Sequence, residues 1–346
     1  MEKNSISSFT EEALCDYIKG FGQPAFRGKQ LFKWLHQKRV TQFSQMTDIP
    51  KALIEKLEEN SVIDTLTIRK KQIGGDGTIK YLFALADGNC VEAVVMRYEY
   101  GNTICVSTQV GCRMGCRFCA STQGGLVRSL TAGEICAEVY TAQADVDGRI
   151  SNIVLMGIGE PLDNYNNVMD FLTIISSDNG INIGMRNITL STCGLVPMID
   201  ELAQRKLGIT LAISLHGPTD EIRSGMMPIN NKYNVDELIA ACRRYQHTTG
   251  RRVSFEYAMV NGVNDSADCA KQLSTLLKGM GAHVNLIPIN PVDGSAYSAT
   301  DAKNVSRFKE RLEVLGINAT VRRRLGTDIS AACGQLRREE STKAGE

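Results

Sequence analysis

From about residue 103 onward, strand-like and helical patterns alternate, and this rhythm constrains the fold more than any other feature of the sequence. Short apolar, β-branched runs occur at 103–108, 152–156, 187–191, 209–214, 253–258, 283–287 and 317–321. Patterns with helical spacing separate most of them, at 131–144, 164–177, 197–206, 234–248, 265–280 and 301–315. Such alternation is typical of a parallel α/β domain. Its regularity favours a closed or partly open barrel, and an open doubly wound sheet is the alternative.

The first hundred residues have a different character. Three helical patterns come first, and Thr10 is placed to cap the first of them. Short β-rich runs follow at 62–72, 78–85 and 91–97, separated by glycine- and aspartate-rich turns. We therefore predict an accessory domain over residues 1–97, with helices and then a small antiparallel sheet. A core over 98–326 and a C-terminal segment over 327–346 complete the chain.

Charge and composition exclude some classes of protein. Of the 346 residues, 39 are Lys or Arg and 38 are Asp or Glu, which gives a net charge of +1. Binding of nucleic acid by bulk charge is therefore excluded, although a local basic face is not. The apolar runs are far shorter than the roughly 18 residues of a membrane span, and the N-terminus lacks the apolar core of a secretion signal. We expect no membrane association and a cytoplasmic location, where the 11 cysteines are more typical of metal sites, catalysis or burial than of structural disulfides.

Three of these cysteines form the strongest local motif. Cys112, Cys116 and Cys119 follow a strand-like run with the spacing C-x3-C-x2-C. Zinc sites usually pair two half-motifs to supply four ligands, and no fourth partner for these three thiols lies close by. Three thiolates on one tight loop suit a [4Fe–4S] cluster that leaves one iron open. A loop at the carboxyl end of a strand is where β/α barrels place their active sites. The alternative is a coincidence of buried thiols.

With this loop the sequence resembles the radical S-adenosylmethionine (SAM) superfamily and, more closely, the RlmN family of adenosine-C2 RNA methyltransferases. The likeness extends over nearly the whole chain. Nine strings carry it in order: FRGKQLFKWL, DGTIKYLF, TQVGCRMGCRFCAS, MGIGEPLDNYNNV, ITLSTCGLVP, AISLHGP, FEYAMVNGVND, VNLIPINPV and GTDISAACGQLR. The resemblance implies a partial (β/α)6 radical SAM barrel with an N-terminal accessory domain. The implied cofactors are one [4Fe–4S] cluster and SAM.

The resemblance also assigns roles to particular residues. The implied cluster ligands are Cys112, Cys116 and Cys119. The implied SAM contacts are Gly159, Glu160, Ser191, Ser214, Leu215, His216 and Asn290. The implied catalytic residues are Cys333, which is itself methylated, Cys105, the second reactive cysteine, and Glu92, the proton acceptor.

The implied reaction avoids a carbanion at an electron-poor ring carbon. Cys333 takes a methyl group from one SAM, and a radical made from a second SAM removes a hydrogen atom from that methyl group. The resulting methylene radical adds to carbon 2 of adenine, Glu92 removes the ring proton, and Cys105 attacks Cys333 to release the RNA and form a transient disulfide. The implied substrates are an adenosine in the peptidyl transferase centre of 23S rRNA and the adenosine 3′ of the anticodon in tRNAs. The implied electron donor is flavodoxin with its reductase.

Several alternatives stay open at this point. Taken alone, Cys105 is equally typical of a buried apolar position, and Glu92 of the solvent side of an alternating strand. A Cfr-type enzyme, which methylates carbon 8 of adenosine and confers antibiotic resistance, shares the same cysteines. A non-catalytic iron–sulfur protein that binds RNA or senses redox state is an alternative of another class, although it would need neither Cys333 nor Glu92.

Two local concentrations of basic residues are candidate RNA contacts. No acidic residue occurs between Asp16 and Asp48, a stretch that contains Lys19, Arg27, Lys29, Lys33, Lys38 and Arg39. The second group brackets Cys333 and consists of Arg322, Arg323, Arg324, Arg337 and Arg338. Such groups bind phosphates with a salt-dependent affinity. A solvated helix face is the alternative for the first group.

Overall fold

One sheet of ten strands passes through both halves of the chain. The computed structural model describes residues 3–99, 101–289, 297–323, 325, 326 and 329. In these ranges the strands are β1 (Asn4–Ser5), β2 (Ser61–Val62), β3 (Thr67–Ile73), β4 (Ile79–Ala84), β5 (Cys90–Tyr98), β6 (Gly101–Cys105), β7 (Gln109–Gly111), β8 (Leu126–Ser129), β9 (Ile150–Leu155), β10 (Ile188–Thr192), β11 (Thr210–Ser214), β12 (Val253–Met259), β13 (His283–Pro288) and β14 (Asn318–Val321). The order of strands in the large sheet is β14-β13-β12-β11-β10-β9-β6-β5-β4-β3.

Helices connect the parallel strands and also precede the sheet. They are α1 (Glu11–Lys19), α2 (Phe26–His36), α3 (Lys51–Asn60), α4 (Ala132–Asp145), α5 (Tyr165–Ser176), α6 (Val196–Gln204), α7 (Asp220–Met226), α8 (Val235–Thr249), α9 (Ala267–Leu277) and α10 (Ala302–Val314). Side-chain caps fix several starts. Thr10 accepts a hydrogen bond from the Ala13 amide, as predicted, and Thr131 and Glu134 form a capping box at α4. Among the described residues, no helix has the length and apolar character needed to cross a bilayer.

The order of the parallel strands distinguishes the two predicted architectures. From β6 through β9 to β14, every strand pairs in parallel with the next strand of this series in the chain. A doubly wound sheet reverses its strand order at a switch point, and no reversal occurs along this series. The winding is therefore that of a β/α barrel. Because β14 and β3 are the two edges of the sheet in the described residues, this barrel is partial, as predicted.

The accessory strands belong to the same sheet rather than to a separate small one. Strand β5 pairs antiparallel with β6, and β6 pairs in parallel with β9. The β-rich run predicted at 62–72 is also two elements, because β2 pairs with β1 near the N-terminus and β3 begins only at Thr67. The helical and antiparallel parts of the accessory region are present, whereas the domain boundary at residue 97 stays a prediction.

Side chains alternate between two faces along the barrel strands. Residues such as Ile153, Leu190 and Leu211 are fully buried on the face that packs against the helices. The intervening positions, such as Ser191 and Ser214, are half-buried and largely polar. Since successive strand residues point to opposite faces, the inner face of the sheet is polar. Candidate ligand-binding side chains therefore have a common surface.

A buried histidine joins the accessory helices to the barrel. His36, in the last turn of α2, is fully buried, and its Nδ1 atom lies 3.0 Å from the hydroxyl of Tyr140 on α4. Its ring is 4.5 Å from that of Phe32. Its Nε2 atom has no hydrogen-bond partner among the described residues. Burial lowers the pKa of His36 from 6.5 to about 3, so the imidazole is neutral in the folded chain.

We expect acidic pH to weaken the packing between the accessory helices and the barrel, because His36 is buried in its neutral form. Because its pKa in the folded chain lies below the unfolded value of 6.5, the unfolded chain binds a proton first as the pH falls. His36 therefore lowers the free energy of unfolding by about 1.4 kcal/mol per pH unit on acidification below about 6.5. The substitution His36→Phe should remove this part of the slope, as measured by urea unfolding at several pH values between about 7.5 and 5. The exposed His247→Phe on α8 is the control, and equal slopes in both variants would contradict the assignment.

Candidate active site

The three motif cysteines lie on a loop that a short hairpin, absent from the sequence predictions, holds in place. Strand β7 pairs antiparallel with β8, and Cys112 follows β7 directly. The Cys112 amide donates a 2.9 Å hydrogen bond to the carbonyl oxygen of Gly125. Gly111 has a φ of 81°, and a Cβ atom there would overlap that same oxygen. Only glycine fits this close approach.

The environment of the Cys112 and Cys116 thiols favours their protonated form when no metal is bound. Burial raises the pKa of the Cys112 thiol to about 12, and the charges of Glu160 and Cys119 add to the rise. Burial also raises the pKa of Cys116, with the charges of Cys119 and Cys112 as the next causes. The three thiols are therefore close enough to oppose one another's ionisation. A metal centre that binds them as thiolates must displace these protons.

This donor set fits a [4Fe–4S] cluster better than a single ion. Within the described ranges, no three Cys, His, Asp or Glu side chains gather as the ligands of one metal ion do. A cube differs because each of its thiolate ligands binds a different iron. Cys116 and Phe118 also pack against an apolar group that includes Met226. Such packing limits access of water to the loop.

The predicted SAM contacts lie at the carboxyl ends of three adjacent strands. Gly159 and Glu160 follow β9, Ser191 lies in β10, and Ser214 ends β11. Leu215 and His216 come directly after β11, and their amides donate to the carbonyl oxygen of Glu256 on β12. These residues are thus brought to one end of the sheet. The predicted contact Asn290 lies outside the described residues.

Glu160 connects the ends of β9 and β10 with the cysteine loop. Its Oε2 atom accepts a 2.7 Å hydrogen bond from the Cys193 amide, and its Oε1 atom accepts one of 3.0 Å from the Leu162 amide. Its own amide donates to Oε1 of Gln109 on β7 at 2.9 Å. Burial raises the pKa of the Glu160 carboxyl. Hydrogen bonds from the Cys193 amide, the Thr192 side chain and the Leu162 amide oppose this rise, so the carboxyl is held firmly at the end of β10.

His216 is held in an unusual backbone conformation. Its φ is 56°, in the left-handed region that non-glycine residues seldom adopt. Its Nδ1 atom accepts a 2.9 Å hydrogen bond from the Ala258 amide, and its carbonyl oxygen accepts one from Asn264. Burial lowers the pKa of His216 to about 3, so the ring is neutral with its proton on Nε2. The ring of Phe118 packs edge-on against it at 5.0 Å, which links β11 to the cysteine loop.

Arg223 on α7 is a site residue that the sequence did not reveal. The side chain is fully buried, and its guanidinium donates to the carbonyl oxygens of Cys193 at 2.6 Å and Leu215 at 3.2 Å. A third bond, of 2.9 Å, reaches Oδ1 of Asn230. Cys193 follows β10, Leu215 follows β11 and Asn230 precedes α8. The planar guanidinium therefore links three separate segments of the chain through hydrogen bonds. A helix of only seven residues gives too short a pattern to identify such a contact.

Glu92 and Cys105 lie on the accessory side of the same inner face. Lys80, Val94 and Cys105 are paired side by side on β4, β5 and β6, so their side chains share one face. Glu92, two residues before Val94, shares it too. Its Oε2 atom lies 3.0 Å from Nζ of Lys80, and both side chains are buried, with exposures of 3% and 0%. The alternative that placed Glu92 on a solvent-facing side is therefore wrong.

The segment that leads to Cys333 crosses this face. After β14, the Arg322 amide donates to the carbonyl oxygen of Leu286. Leu325 then packs against Val94, Met96 and Cys105. The Gly326 amide donates a 2.8 Å hydrogen bond to Asp76 in the turn between β3 and β4. Cys333 itself lies outside the described residues, as do Arg324, Arg337 and Arg338.

The lysines of the first basic group on and after α2 lie at the surface, whereas two side chains between them in the sequence are buried. Lys29, Lys33 and Lys38 are exposed along α2 and beyond it, and Phe26 is 53% exposed at its start. His36 is buried, and Trp34 is largely buried beneath the Lys38 ammonium, which lies 3.3 Å from the centre of its ring. The exposed surface is thus cationic with one aromatic ring, and we refer to Lys29, Lys33 and Lys38 as the α2 basic face.

We expect the substitution Arg223→Met to damage both the fold and the cluster loop. It leaves the carbonyl oxygen of Cys193 buried without its arginine donor and removes one of the two donors to the carbonyl oxygen of Leu215, which should lower the free energy of unfolding by about 3 kcal/mol. The iron content after anaerobic reconstitution should fall as well. Chemical denaturation of the metal-free chain and iron analysis are the two measurements. The control Arg244→Met removes a half-exposed pair with Asp200 and should cost less than about 1 kcal/mol; an equal loss in both variants would contradict the role of Arg223.

Comparisons with known families cover both parts of the chain. The model for the "Radical SAM superfamily" matches residues 106–271. The model for the "Ribosomal RNA large subunit methyltransferase N-terminal domain" matches residues 5–63. The first match contains the cysteine loop and the ends of β9, β10 and β11, and the second contains α1 to α3.

Individual relatives match along nearly the full length. The probable dual-specificity RNA methyltransferase RlmN of Clostridium novyi (strain NT) is 53% identical over 335 residues, which cover 96% of this chain and 98% of that protein. The corresponding protein of Clostridium perfringens (strain 13 / Type A) is 54% identical over 340 residues, with 96% of each chain covered. The crystal structure of a radical SAM methyltransferase from Sphaerobacter thermophilus is 43% identical and superposes with a TM-score of 0.91 over 96% of this chain and 98% of that one.

Proposed function

The chain belongs to the RlmN family of radical SAM RNA methyltransferases, and from this premise we propose that it methylates carbon 2 of adenosine. The proposed substrates are 23S rRNA, in the peptidyl transferase centre, and the adenosine 3′ of the anticodon in tRNAs. The names of the relatives, as dual-specificity RNA methyltransferases, support two RNA substrates. We place the reaction in the cytoplasm, with flavodoxin and its reductase as the electron donor.

The observation that carries this proposal is the convergence of three chain segments on one inner face. Glu92 and Cys105 share this face, and Leu325 packs against the apolar cluster that contains Cys105. Cys333 follows Gly326 by seven residues, a stretch that spans at most about 25 Å. A cysteine that carries a methyl group, a base and a second thiol are the groups that an adenosine methylation through a protein-bound intermediate needs.

The cofactors have a binding surface on the neighbouring strands. Cys112, Cys116 and Cys119 would hold a [4Fe–4S] cluster, and Gly159, Glu160, Ser191, Ser214, Leu215, His216 and Asn290 would contact SAM. Bound together, the two supply the methyl group and the one-electron chemistry that an unactivated ring carbon requires. The neutral ring of His216 and the carboxylate of Glu160 orient the ligand, and the apolar packing of Phe118 excludes water.

The remaining roles fall to side chains of the inner face. Cys333 carries the methyl group and becomes joined to the RNA through it. Glu92 accepts the proton from the ring carbon. The Cys105 thiolate then attacks the sulfur of Cys333, so that a disulfide forms and the sulfur–carbon bond to the RNA breaks. The departing carbon keeps the bonding electron pair and takes up a proton to become the methyl group. Such a transient disulfide is compatible with a reducing compartment because it is catalytic rather than structural.

We expect mass spectrometry of the reconstituted protein to find a methyl group on Cys333. The protein is purified and reconstituted without oxygen, incubated with SAM and reductant, and digested to peptides; RNA from a parallel reaction is digested to nucleosides. The expected pair of results is methylated Cys333 and 2-methyladenosine, with both lost in Cys333→Ala. Detection of 8-methyladenosine would instead assign the chain a carbon-8 activity. An unmodified Cys333 in protein with an intact cluster would overturn the proposed route.

We expect the α2 basic face to bind RNA phosphates. Replacing Lys29, Lys33 and Lys38 by Glu should weaken RNA binding and reduce the dependence of log Kd on log salt by about 2 to 3 units. SAM cleavage without RNA should be unchanged. The control replaces the exposed Lys206, Lys271 and Lys278, which alters the net charge equally on other parts of the surface. Equal weakening of RNA binding in both triple variants would show that net charge, rather than this face, governs affinity.

A further inference from the structure

We propose that Lys80 is a positioning residue for proton transfer, which holds the Glu92 side chain as a carboxylate on the inner face beside Cys105. This inference rests on the proposed function, in which Glu92 accepts the proton from the adenine ring. It adds to that function a residue from β4 that acts through Glu92. The accessory strands then contribute the proton-accepting half of the active site.

The burial of this pair requires an explanation beyond stability. Lys80 has an exposure of 0% and Glu92 of 3%, and their Nζ and Oε2 atoms are 3.0 Å apart. Lysine and glutamate are almost never fully buried unless paired, and removal of both from water costs several kcal/mol per ion. Apolar side chains of similar volume would often stabilise such a position as well or better. A polar pair here therefore indicates a chemical role.

The strand register fixes the direction of the Glu92 side chain. Lys80 lies directly opposite Val94 on β5, so Glu92 is its diagonal neighbour on the same face. Val94 in turn lies opposite Cys105 on β6. Val94 on β5 therefore lies between Lys80 on β4 and Cys105 on β6. A carboxylate held to Lys80 faces the surface on which Cys105 lies.

The main chain at Glu92 is fixed from the opposite side. The Ser107 hydroxyl donates a 2.7 Å hydrogen bond to the carbonyl oxygen of Glu92. The Ile158 amide donates to the same hydroxyl at 3.1 Å, one residue before Gly159. Ser107 thus connects the Glu92 backbone to the end of β9, while Lys80 holds the side chain. The base is positioned relative to the predicted SAM contacts by two independent bonds.

The proton balance explains why a cation is needed. In the transfer step, the ring C–H bond breaks, its electron pair stays in the ring, and an O–H bond forms on Glu92. The ring also holds the unpaired electron of the added methylene radical, and this electron must leave to a one-electron acceptor, for which an oxidised iron–sulfur cluster is the chemical class. Glu92 must therefore carry no proton beforehand, whereas an isolated buried carboxyl tends to be neutral. The Lys80 ammonium compensates the negative charge through a charge-assisted hydrogen bond. Without it, the carboxylate would be buried with no cation beside it.

The test compares variants at the two ends of the ion pair. Lys80→Met keeps the length of the side chain and removes its charge, Lys80→Arg keeps the charge, and Glu92→Gln removes the base. Each reconstituted holoenzyme receives SAM, reductant and RNA. Denaturing gels quantify protein joined covalently to RNA, and mass spectrometry quantifies methylated Cys333 and methylated nucleoside. The control Lys71→Met removes the partly exposed pair with Asp145 from the adjacent strand β3.

We expect Lys80→Met to methylate Cys333 normally but to accumulate protein joined to RNA. Release of methylated RNA should fall by at least about 10²-fold, the usual contribution of a general base. Lys80→Arg should restore a large part of it, which a purely structural role of the lysine would not predict. Lys71→Met should behave as the unmodified chain. Because methylation of Cys333 precedes the proton transfer, it reports on folding and cluster assembly in every variant.

Two results would overturn the inference, and they differ from a failure of the proposed function. If Glu92→Gln accumulates the joined species and Lys80→Met releases RNA at the normal rate, Lys80 has no part in the step. If Lys80→Arg retains Cys333 methylation but releases no more RNA than Lys80→Met, the charge of Lys80 is not what matters. If Glu92→Gln itself accumulates no joined species, the proposed role of Glu92 is wrong.

Discussion

Strand β6 has a different kind of neighbour on each edge, and the arrangement of the active site depends on this. On one edge it pairs antiparallel with β5, and on the other it pairs in parallel with β9. One strand therefore joins the accessory hairpins to the barrel without a flexible linker. Its last residue, Cys105, has Val94 on one side and Val154 on the other. The proposed base and the proposed cofactor contacts are thus held at fixed register on either side of the proposed reactive thiol, Cys105.

Buried polar groups stabilise the geometry on both sides of β6. On the barrel side, Glu160 and Arg223 bind main-chain amides and carbonyls at the ends of β9, β10 and β11. On the accessory side, the Lys80–Glu92 ion pair spans β4 and β5. Each of these side chains would be costly to bury alone, and each is satisfied by partners on neighbouring elements. Glu160 and Arg223 both bind the main chain of Cys193, which lies 33 and 30 residues away from them, so the barrel side of the site assembles only when these strands have come together.

The sequence predicts the elements well because their signals are local. The run at 253–258 corresponds to Val253–Met259, and the helical pattern at 131–144 corresponds to Ala132–Asp145 with Thr131 as its cap. Period, capping and turn residues carry that information within a few positions. Other features depend on contacts between residues that are not neighbours in the sequence. These features are the continuity of the sheet, the pairing of β7 with β8, and the buried positions of His36 and Trp34.

In the candidate site, too, some residues could be predicted from the sequence and others could not. The spacing of Cys112, Cys116 and Cys119 is visible in the sequence, and the resemblance to the RlmN family indicated Glu92 and Cys105. Lys80 and Arg223 were not identified, since a lysine within an apolar strand and an arginine within a short helix carry no motif. Their roles follow from burial and from the atoms they contact. Residues that act through another side chain are therefore the ones that sequence patterns miss.

The burial of Cys105 bears on how the proposed reactive thiol would operate in the proposed reducing compartment. Its exposure is 5%, and Val94, Met96 and Leu325 pack around it. Thiol–disulfide exchange requires access to the sulfur as well as a suitable attacking group. Leu325 belongs to the same segment that leads to Cys333, so the chain that covers Cys105 also carries its proposed partner. A tethered sulfur has a high effective concentration compared with a free thiol. Covering Cys105 with this segment therefore favours exchange with Cys333 over exchange with thiols in solution.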